Sequence, residues 1–220
     1  MGATASSWEI IYMKTLPGYC ITSDGILKQQ NYAIREYNKD YVIQSYDKYG
    51  DKVSKISHLR LGYLLGAIKV IPNSILDIGY GNGNFLNTCH KIIPNCYGND
   101  ISSYPVPEGC KFVKNILNKK YDVVCFFDVL EHFEDIEIIK KIKTKYLYIS
   151  LPWCHNFSPK WLSSWKHLRP NEHLWHFNEK SLIKFCNRMG YELICSSNIE
   201  DIVRTTDKPY KNILSCIFKK

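Results

Sequence analysis

Four apolar runs in this chain break off abruptly into polar or glycine-rich clusters. Ile75-Leu-Asp-Ile78 leads into Gly79-Tyr-Gly-Asn-Gly83, and Cys96-Tyr-Gly-Asn99 leads into Asp100. Tyr121-Asp-Val-Val-Cys-Phe-Phe127 leads into Asp128-Val-Leu-Glu-His132, and Tyr146-Leu-Tyr-Ile-Ser-Leu-Pro152 into a tryptophan-rich stretch. Runs with so little polar alternation fit strands buried on both faces, as in a parallel sheet covered by helices. Helical spacing appears between them. Residues 53–70 repeat Ile56, Leu59, Tyr63 and Ala67 on one side and stop at Pro72, and residues 85–93 form a shorter helix after the glycines. Residues 111–115 read as a third strand, 179–188 as a helix, and 191–196 and 212–218 as two closing strands, which makes a seven-stranded sheet.

The first fifty residues differ in texture. Residues 8–50 are rich in tyrosine (Tyr12, Tyr19, Tyr32, Tyr37, Tyr41, Tyr46, Tyr49), with short mixed segments broken at Pro17-Gly18 and Asp24-Gly25. The Asp-Gly pair predicts a hairpin turn. Residues 1–52 are therefore set apart as an N-terminal extension, residues 53–220 as the main domain, and residues 1–7 as a disordered lead.

Candidate chemistry collects where the apolar runs end, because open α/β sheets bind ligands at the carboxyl ends of their strands. Gly79, Gly81 and Gly83 permit a close backbone approach that side chains would block. A dinucleotide-type G-x-G-x-x-G would need glycine at Asn84 or Leu86, and a P-loop would need G-K-[ST], so both phosphate motifs fail. What remains, D-x-G-x-G-x-G after an apolar strand, resembles the first motif of class I S-adenosylmethionine-dependent methyltransferases, with Tyr80 and Asn82 departing from the common Cys and Thr.

The resemblance implies a Rossmann-like α/β fold with a mostly parallel seven-stranded sheet and helices on both faces, and S-adenosylmethionine as cofactor. It assigns the cofactor's methionine part to the turn Gly79, Tyr80, Gly81 and Gly83, with Asp77 receiving the amino group. Asp100, twenty-three residues after Asp77, matches the family's ribose-binding acid, and Ile101 matches the residue that covers an adenine face. Asn115 falls where relatives carry a group near the adenine amine, although a surface amide fits the same position. Asp128-Val-Leu-Glu-His132 is similar to the E-V-L-E-H segment of a subgroup that includes ubiquinone-biosynthesis O-methyltransferases, with Asp128 replacing Glu and counted with the cofactor-binding residues. In relatives an extension like residues 1–52 lies over the cofactor as a lid.

Histidines crowd the remaining candidate segments. Residues 153–177 hold His155, His167, His173 and His176 with four of the five tryptophans, and relatives build their substrate pocket at this insertion. Its aromatics fit either a planar acceptor or simple packing. A hydroxyl acceptor must lose its proton during attack, so His132 and His173 are the candidate bases; buried structural histidines are the alternative. Asp128, Glu131, His132 and His173 together offer mixed oxygen and nitrogen ligands for a divalent Mg, Mn, Fe or Zn ion, similar to the metal site of small-RNA terminal 2′-O-methyltransferases. The alternative has Glu131 and His132 capping a helix and shaping the pocket wall.

Composition narrows the setting more than the chemistry. At 220 residues, 45% hydrophobic, the chain suits one globular domain. No apolar run reaches the length of a membrane span and no signal-peptide core precedes the domain, so a cytoplasmic setting is expected, with nine reduced cysteines. A net charge of +8 raises the prospect of a nucleic-acid partner, but 24 Lys against 5 Arg, with 26 Ile and 16 Asn, is the bias of low-GC coding. The densest patch, Lys140-Lys-Ile-Lys-Thr-Lys145, has the spacing of a solvated helix end. Three functions stay open: methyl transfer to a small-molecule acceptor such as a sugar, nucleotide or phenol, metal-assisted transfer to an RNA terminus, and a non-catalytic cofactor-binding subunit.

Overall fold

The apolar runs form the centre of a seven-stranded sheet in the computed structural model, which describes residues 16–33, 51–102, 104–206 and 208–220. The elements are β1 (Tyr19–Ile21), β2 (Leu27–Gln29), α1 (Asp51–Ile68), β3 (Ser74–Ile78), α2 (Asn84–His90), β4 (Asn95–Asn99), β5 (Lys111–Phe112), β6 (Lys120–Phe127), α3 (Ile138–Lys141), β7 (Lys143–Pro152), α4 (Pro159–Leu162), β8 (Trp175–His176), α5 (Glu179–Arg188), β9 (Glu192–Ser197) and β10 (Ile213–Lys219). Single 3₁₀ turns lie at Leu130–His132 and Ile199–Ile202.

The sheet order is β5-β4-β3-β6-β7-β10-β9; the first five strands are parallel and β10 runs antiparallel to both neighbours. Helices cover both faces. Leu61, Leu64 and Ile68 of α1 and Phe85, Leu86 and Cys89 of α2 pack with Ile75, Val123 and Tyr148 on one side. Ile139 of α3 and Leu182, Phe185 and Cys186 of α5 pack with Leu76, Phe126 and Leu147 on the other. Burial on both faces explains why the central strands read as continuous apolar runs.

Helix α1 differs from its sequence reading. Its buried stripe is Ile56, Leu61, Leu64 and Ile68, whereas Leu59, Tyr63 and Ala67 are only half-buried. The larger aliphatics at i, i+3 and i+7 take the core-facing line. The helix ends at Ile68, before Val70, because Lys69 turns into the left-handed region at φ 53° and exposes Val70 and Ile71 ahead of Pro72.

The extension enters the domain through its hairpin. Tyr19 to Ile21 pair antiparallel with Leu27 to Gln29, and Gly25 supplies the positive φ of 79° that the loop requires. Strand β2 then pairs with β8, Leu27 opposite His176 and Lys28 opposite Trp175, so the hairpin joins the histidine-rich insertion in a three-stranded sheet. Arg188 of α5 fastens the turn by two hydrogen bonds to Asp24, at 2.6 and 2.9 Å. Tyr12, Tyr37, Tyr41, Tyr46, Tyr49 and residues 1–7 lie outside the described residues. All nine cysteines are free thiols, and among the described residues no helix is long and apolar enough to cross a membrane.

Candidate active site

Register brings three of the predicted clusters side by side. Ile78 lies opposite Asn99 of β4 and Phe126 of β6, and Phe127 lies opposite Ser150 of β7. Gly79, Asp100 and Asp128 therefore leave the sheet along one carboxyl edge. Gly79 N–H donates to the Asn99 carbonyl at 2.6 Å, and Asp128 N–H donates to the Ser150 carbonyl at 2.8 Å.

The glycine turn is fixed by sterics as well as by φ. Gly79 has φ 70°, and a Cβ there would stand 2.4 Å from Val129 Cγ2. Gly83, at φ 77°, precedes α2 and would drive a Cβ to 2.4 Å from Pro107. Any side chain at either position must push apart the loops that bound the turn. Asp100 closes the turn from β4: its carboxylate accepts from Gly81 N–H at 2.8 Å and from Ser102 N–H at 2.7 Å. Tyr80 Oη donates to the Tyr104 carbonyl, and Ile101 is 75% exposed beside this loop. Asn115 accepts from Leu117 N–H at 3.0 Å and lines an open groove of about 930 Å³ with Asn99, Val113 and Tyr121.

Asp77 is the exceptional group. It is buried at the end of β3, and its Oδ1 has no hydrogen-bond partner among the described residues. Burial lifts its pKa to about 8; Arg60 opposes the shift and the Asp100 charge adds to it. A buried carboxyl with an unpartnered oxygen suits a cationic ligand, whose charge would offset the burial.

Asp128 departs from its predicted place among metal ligands. Held in the left-handed region at φ 54°, its carboxylate faces Arg204, at 2.7 and 3.1 Å, and Arg60, at 3.5 Å. Glu200, buried under the same edge, takes Arg60 at 2.7 and 2.9 Å and Arg204 at 3.1 Å, and accepts from the Ser150 hydroxyl. Burial alone would raise both carboxyls; the two guanidiniums outweigh it and hold them below the usual range. Two arginines and two acids make the group neutral overall, and Asp128 is thereby diverted from the histidines. Arg60, Glu200, Arg204 and Ser150 were not among the residues expected at this edge, and no local motif carries them.

The other three predicted ligands do converge. One ligand atom from each of Glu131, His132 and His173 lies within 4.8 Å of the others. The 3₁₀ turn presents Glu131 and His132, while the Leu174 N–H bond to the Glu131 carbonyl, at 2.8 Å, holds the insertion against that turn. Glu131 is buried, and among the described residues neither carboxylate oxygen has a hydrogen-bond partner from another residue; burial and then the Asp128 charge push its pKa well up. The His132 and His173 rings meet edge-on at 4.7 Å. Burial depresses the pKa of each, that of His173 to about 2, so both are neutral at physiological pH. Only the protonated ring nitrogen can bond a carbonyl, so the 2.9 Å contact of His173 Nδ1 with the His167 carbonyl puts the proton on Nδ1 and the lone pair on Nε2.

The remaining histidines divide. His167 is buried against Asn212 Oδ1 at 3.0 Å, and burial lowers its pKa to about 4. His155 stacks on Trp153 with centroids 5.0 Å apart and bonds the Lys211 carbonyl, away from the cluster. Trp161 and Trp165, 5.1 Å apart, join Leu162, Cys154, Tyr19 and Leu27 in a separate apolar cluster, so part of the tryptophan-rich stretch packs core. The edge as a whole thus offers a glycine turn flanked by two acids and a neutral imidazole with its lone pair on Nε2.

Comparison with known proteins agrees with the fold. A profile of the methyltransferase-domain family matches residues 44–196. No curated protein matches the sequence closely enough to count as a relative. Among solved structures, the chain is similar to the magnesium protoporphyrin IX methyltransferase of Synechocystis PCC 6803 with bound S-adenosylhomocysteine, at 19% identity and a TM-score of 0.57, covering 83% of this chain and 97% of that one. The 1,6-didemethyltoxoflavin N1-methyltransferase of Burkholderia thailandensis, solved with that substrate and S-adenosylhomocysteine, aligns at 12% identity and a TM-score of 0.58 over 92% and 98% of the two chains. The methyltransferase domain of bacterial CtHen1-CN aligns at 18% identity and a TM-score of 0.51 over 73% and 97%.

Proposed function

The chain belongs to the methyltransferase-domain family, and from that premise we propose that it moves a methyl group from S-adenosylmethionine to a hydroxyl oxygen of a small acceptor, a sugar, nucleotide or phenol. The observation that carries the cofactor is Asp77: its buried, unpartnered oxygen fits the cationic amino group of the cofactor. Gly79, Tyr80, Gly81 and Gly83 would hold the methionine part, Asp100 the ribose, and Ile101 and Asn115 the adenine. Two similar enzymes were solved with S-adenosylhomocysteine, which supports the same reading. The bound cofactor supplies an activated methyl group; the protein's share is to align the acceptor, keep water out and remove a proton.

Proton removal falls to His173 and His132. His173 keeps its Nδ1–H on a carbonyl and its lone pair on Nε2, so Nε2 is the atom that would take a hydroxyl proton, while burial makes the ring a weaker base than a free histidine. Asp128, paired with both arginines, shapes this wall without taking a proton. The hairpin of residues 19–29 is read as an acceptor-side cover, supported by its pairing with Trp175 and His176. Nine free thiols fit a cytoplasmic setting.

A second reading rests on the convergence of Glu131, His132 and His173. A buried carboxyl with two bare oxygens beside two neutral imidazoles fits a divalent cation, and His173 already has the carbonyl-tethered Nδ1–H that ligating histidines use. The ion would orient acceptor hydroxyls and make them more acidic. An acceptor screen with methyl-labelled cofactor, run with and without EDTA, tests both readings. Label transfer to a hydroxyl compound is expected. Loss on chelation with recovery by one divalent ion supports the metal; EDTA-insensitive turnover removes it and leaves the histidine base. Label found only in RNA ends, with steep salt dependence, would contradict the small-molecule acceptor.

A further inference from the structure

The hairpin and the insertion bury a second pair of polar atoms that no hydrogen bond explains. Tyr19 of β1 and His176 of β8 are 7% and 2% exposed, and neither Tyr19 Oη nor His176 Nε2 has a partner among the described residues. Their rings lie 5.9 Å apart, although the residues are 157 positions apart in sequence and meet only because β2 bridges β1 to β8. Unsatisfied buried side chains are rare, and two on rings 5.9 Å apart are placed for one shared polar ligand. The surroundings limit its chemistry. His176 is neutral, since burial lowers its pKa to about 3, and Trp165, Leu27, Cys154 and Leu162 line the same cluster with apolar surface. The apolar lining disfavours a charged group, whereas a hydroxyl both donates and accepts and so suits both atoms. His173, whose ring is 6.4 Å from His176, links this pair to the Glu131 and His132 cluster.

We propose that Tyr19 Oη and His176 Nε2 form an acceptor-recognition subsite that binds a neutral hydroxyl of a planar acceptor, with the N-terminal hairpin contributing directly to substrate choice. This rests on the reading of the adjoining histidine cluster as the acceptor site. The subsite orients the acceptor and takes no part in proton removal.

Phenol and toluene, which differ by a hydroxyl in place of a methyl, probe it without turnover. Titrated into the full chain and followed by tryptophan fluorescence, phenol should bind about tenfold tighter than toluene. In Tyr19→Phe that ratio should fall about tenfold through phenol alone, and His176→Leu should show the same loss. Tyr19→Phe should melt at or above the wild-type temperature, because an unpaired buried hydroxyl stabilises nothing. An unchanged phenol-to-toluene ratio in both variants, or no phenol binding to the wild type at about 50 mM, would overturn the proposal. A melting temperature lower by about 5 °C or more in Tyr19→Phe would also overturn it, since the hydroxyl would then be held by a structural partner such as buried water. Because binding is read without cofactor or turnover, these outcomes are separate from any failure of methyl transfer in the labelled screen.

Discussion

Asp77→Asn should bind S-adenosylhomocysteine about a hundredfold more weakly than the wild type while folding at least as stably. The side chain keeps its shape, so the turn from Gly79 to Gly83 is preserved. What is lost is the negative charge that a cationic amino group would stabilise, and a desolvated charge-assisted hydrogen bond contributes about 1.5–3 kcal/mol. Without ligand the balance reverses. Burial raises the Asp77 pKa to about 8, so the folded protein keeps a proton that the unfolded chain gives up near the ordinary carboxyl value of 3.8. A raised folded pKa means that stability from this group is intact below the unfolded value and declines as pH climbs toward the folded one. The stability advantage of Asp77→Asn over the wild type should therefore grow from about pH 4 to about pH 8, by no more than about 1.4 kcal/mol per pH unit, and then level off. Denaturant melts of the ligand-free pair across that range, with calorimetric titration of S-adenosylhomocysteine, measure both effects. Equal affinity in the two proteins would remove Asp77 from the cofactor site.

Glu200→Gln should lower the melting temperature by roughly 6–20 °C, the largest stability loss expected from an isosteric change in this protein. Glu200 is fully buried and joins Arg60 of α1 to Arg204 and, through Ser150, to β7. Without its charge two guanidiniums share the single carboxylate of Asp128. Breaking a buried pair from one side costs about 3–5 kcal/mol, because the stranded charge stays out of water. The double variant Glu200→Gln with Arg60→Met restores neutrality and should recover part of the loss. Additive destabilisation in the thermal melts of that double-mutant cycle would show that the two side chains are energetically independent.

Legibility in the sequence followed the range of the interactions. The parallel strands were readable because burial on both faces demands uninterrupted apolar residues, and α5 was readable to the residue because Asn178 caps it with Ser181 in a reciprocal pair of hydrogen bonds. The glycine turn was legible for a local reason too: only glycine fits against Val129 and Pro107. The stripe of α1 was misjudged because half-buried Leu59, Tyr63 and Ala67 share a helical line with Ile56, and only packing shows which line faces inward.

The charge network at β6 was not legible because its hydrogen-bonded partners lie up to 140 residues apart and carry no shared motif. A signal was present in composition. In a chain with 24 Lys and 5 Arg, an arginine is a departure from the coding bias, and Arg60, Arg169, Arg188 and Arg204 all form ion pairs with carboxylates. The planar guanidinium accounts for that choice where two carboxylates must be bridged at once. The same network explains why Asp128, adjacent in sequence to the histidine cluster, does not join it: the left-handed backbone at Asp128 and two guanidiniums turn its carboxylate toward Arg60 and Arg204.

A crystal structure of the full chain soaked with S-adenosylhomocysteine is the most direct measurement of the central claim. The account predicts density along the turn from Gly79 to Gly83, with the ligand's amino group at Asp77 and its ribose hydroxyls at Asp100. An intact fold with no density at that turn would contradict it.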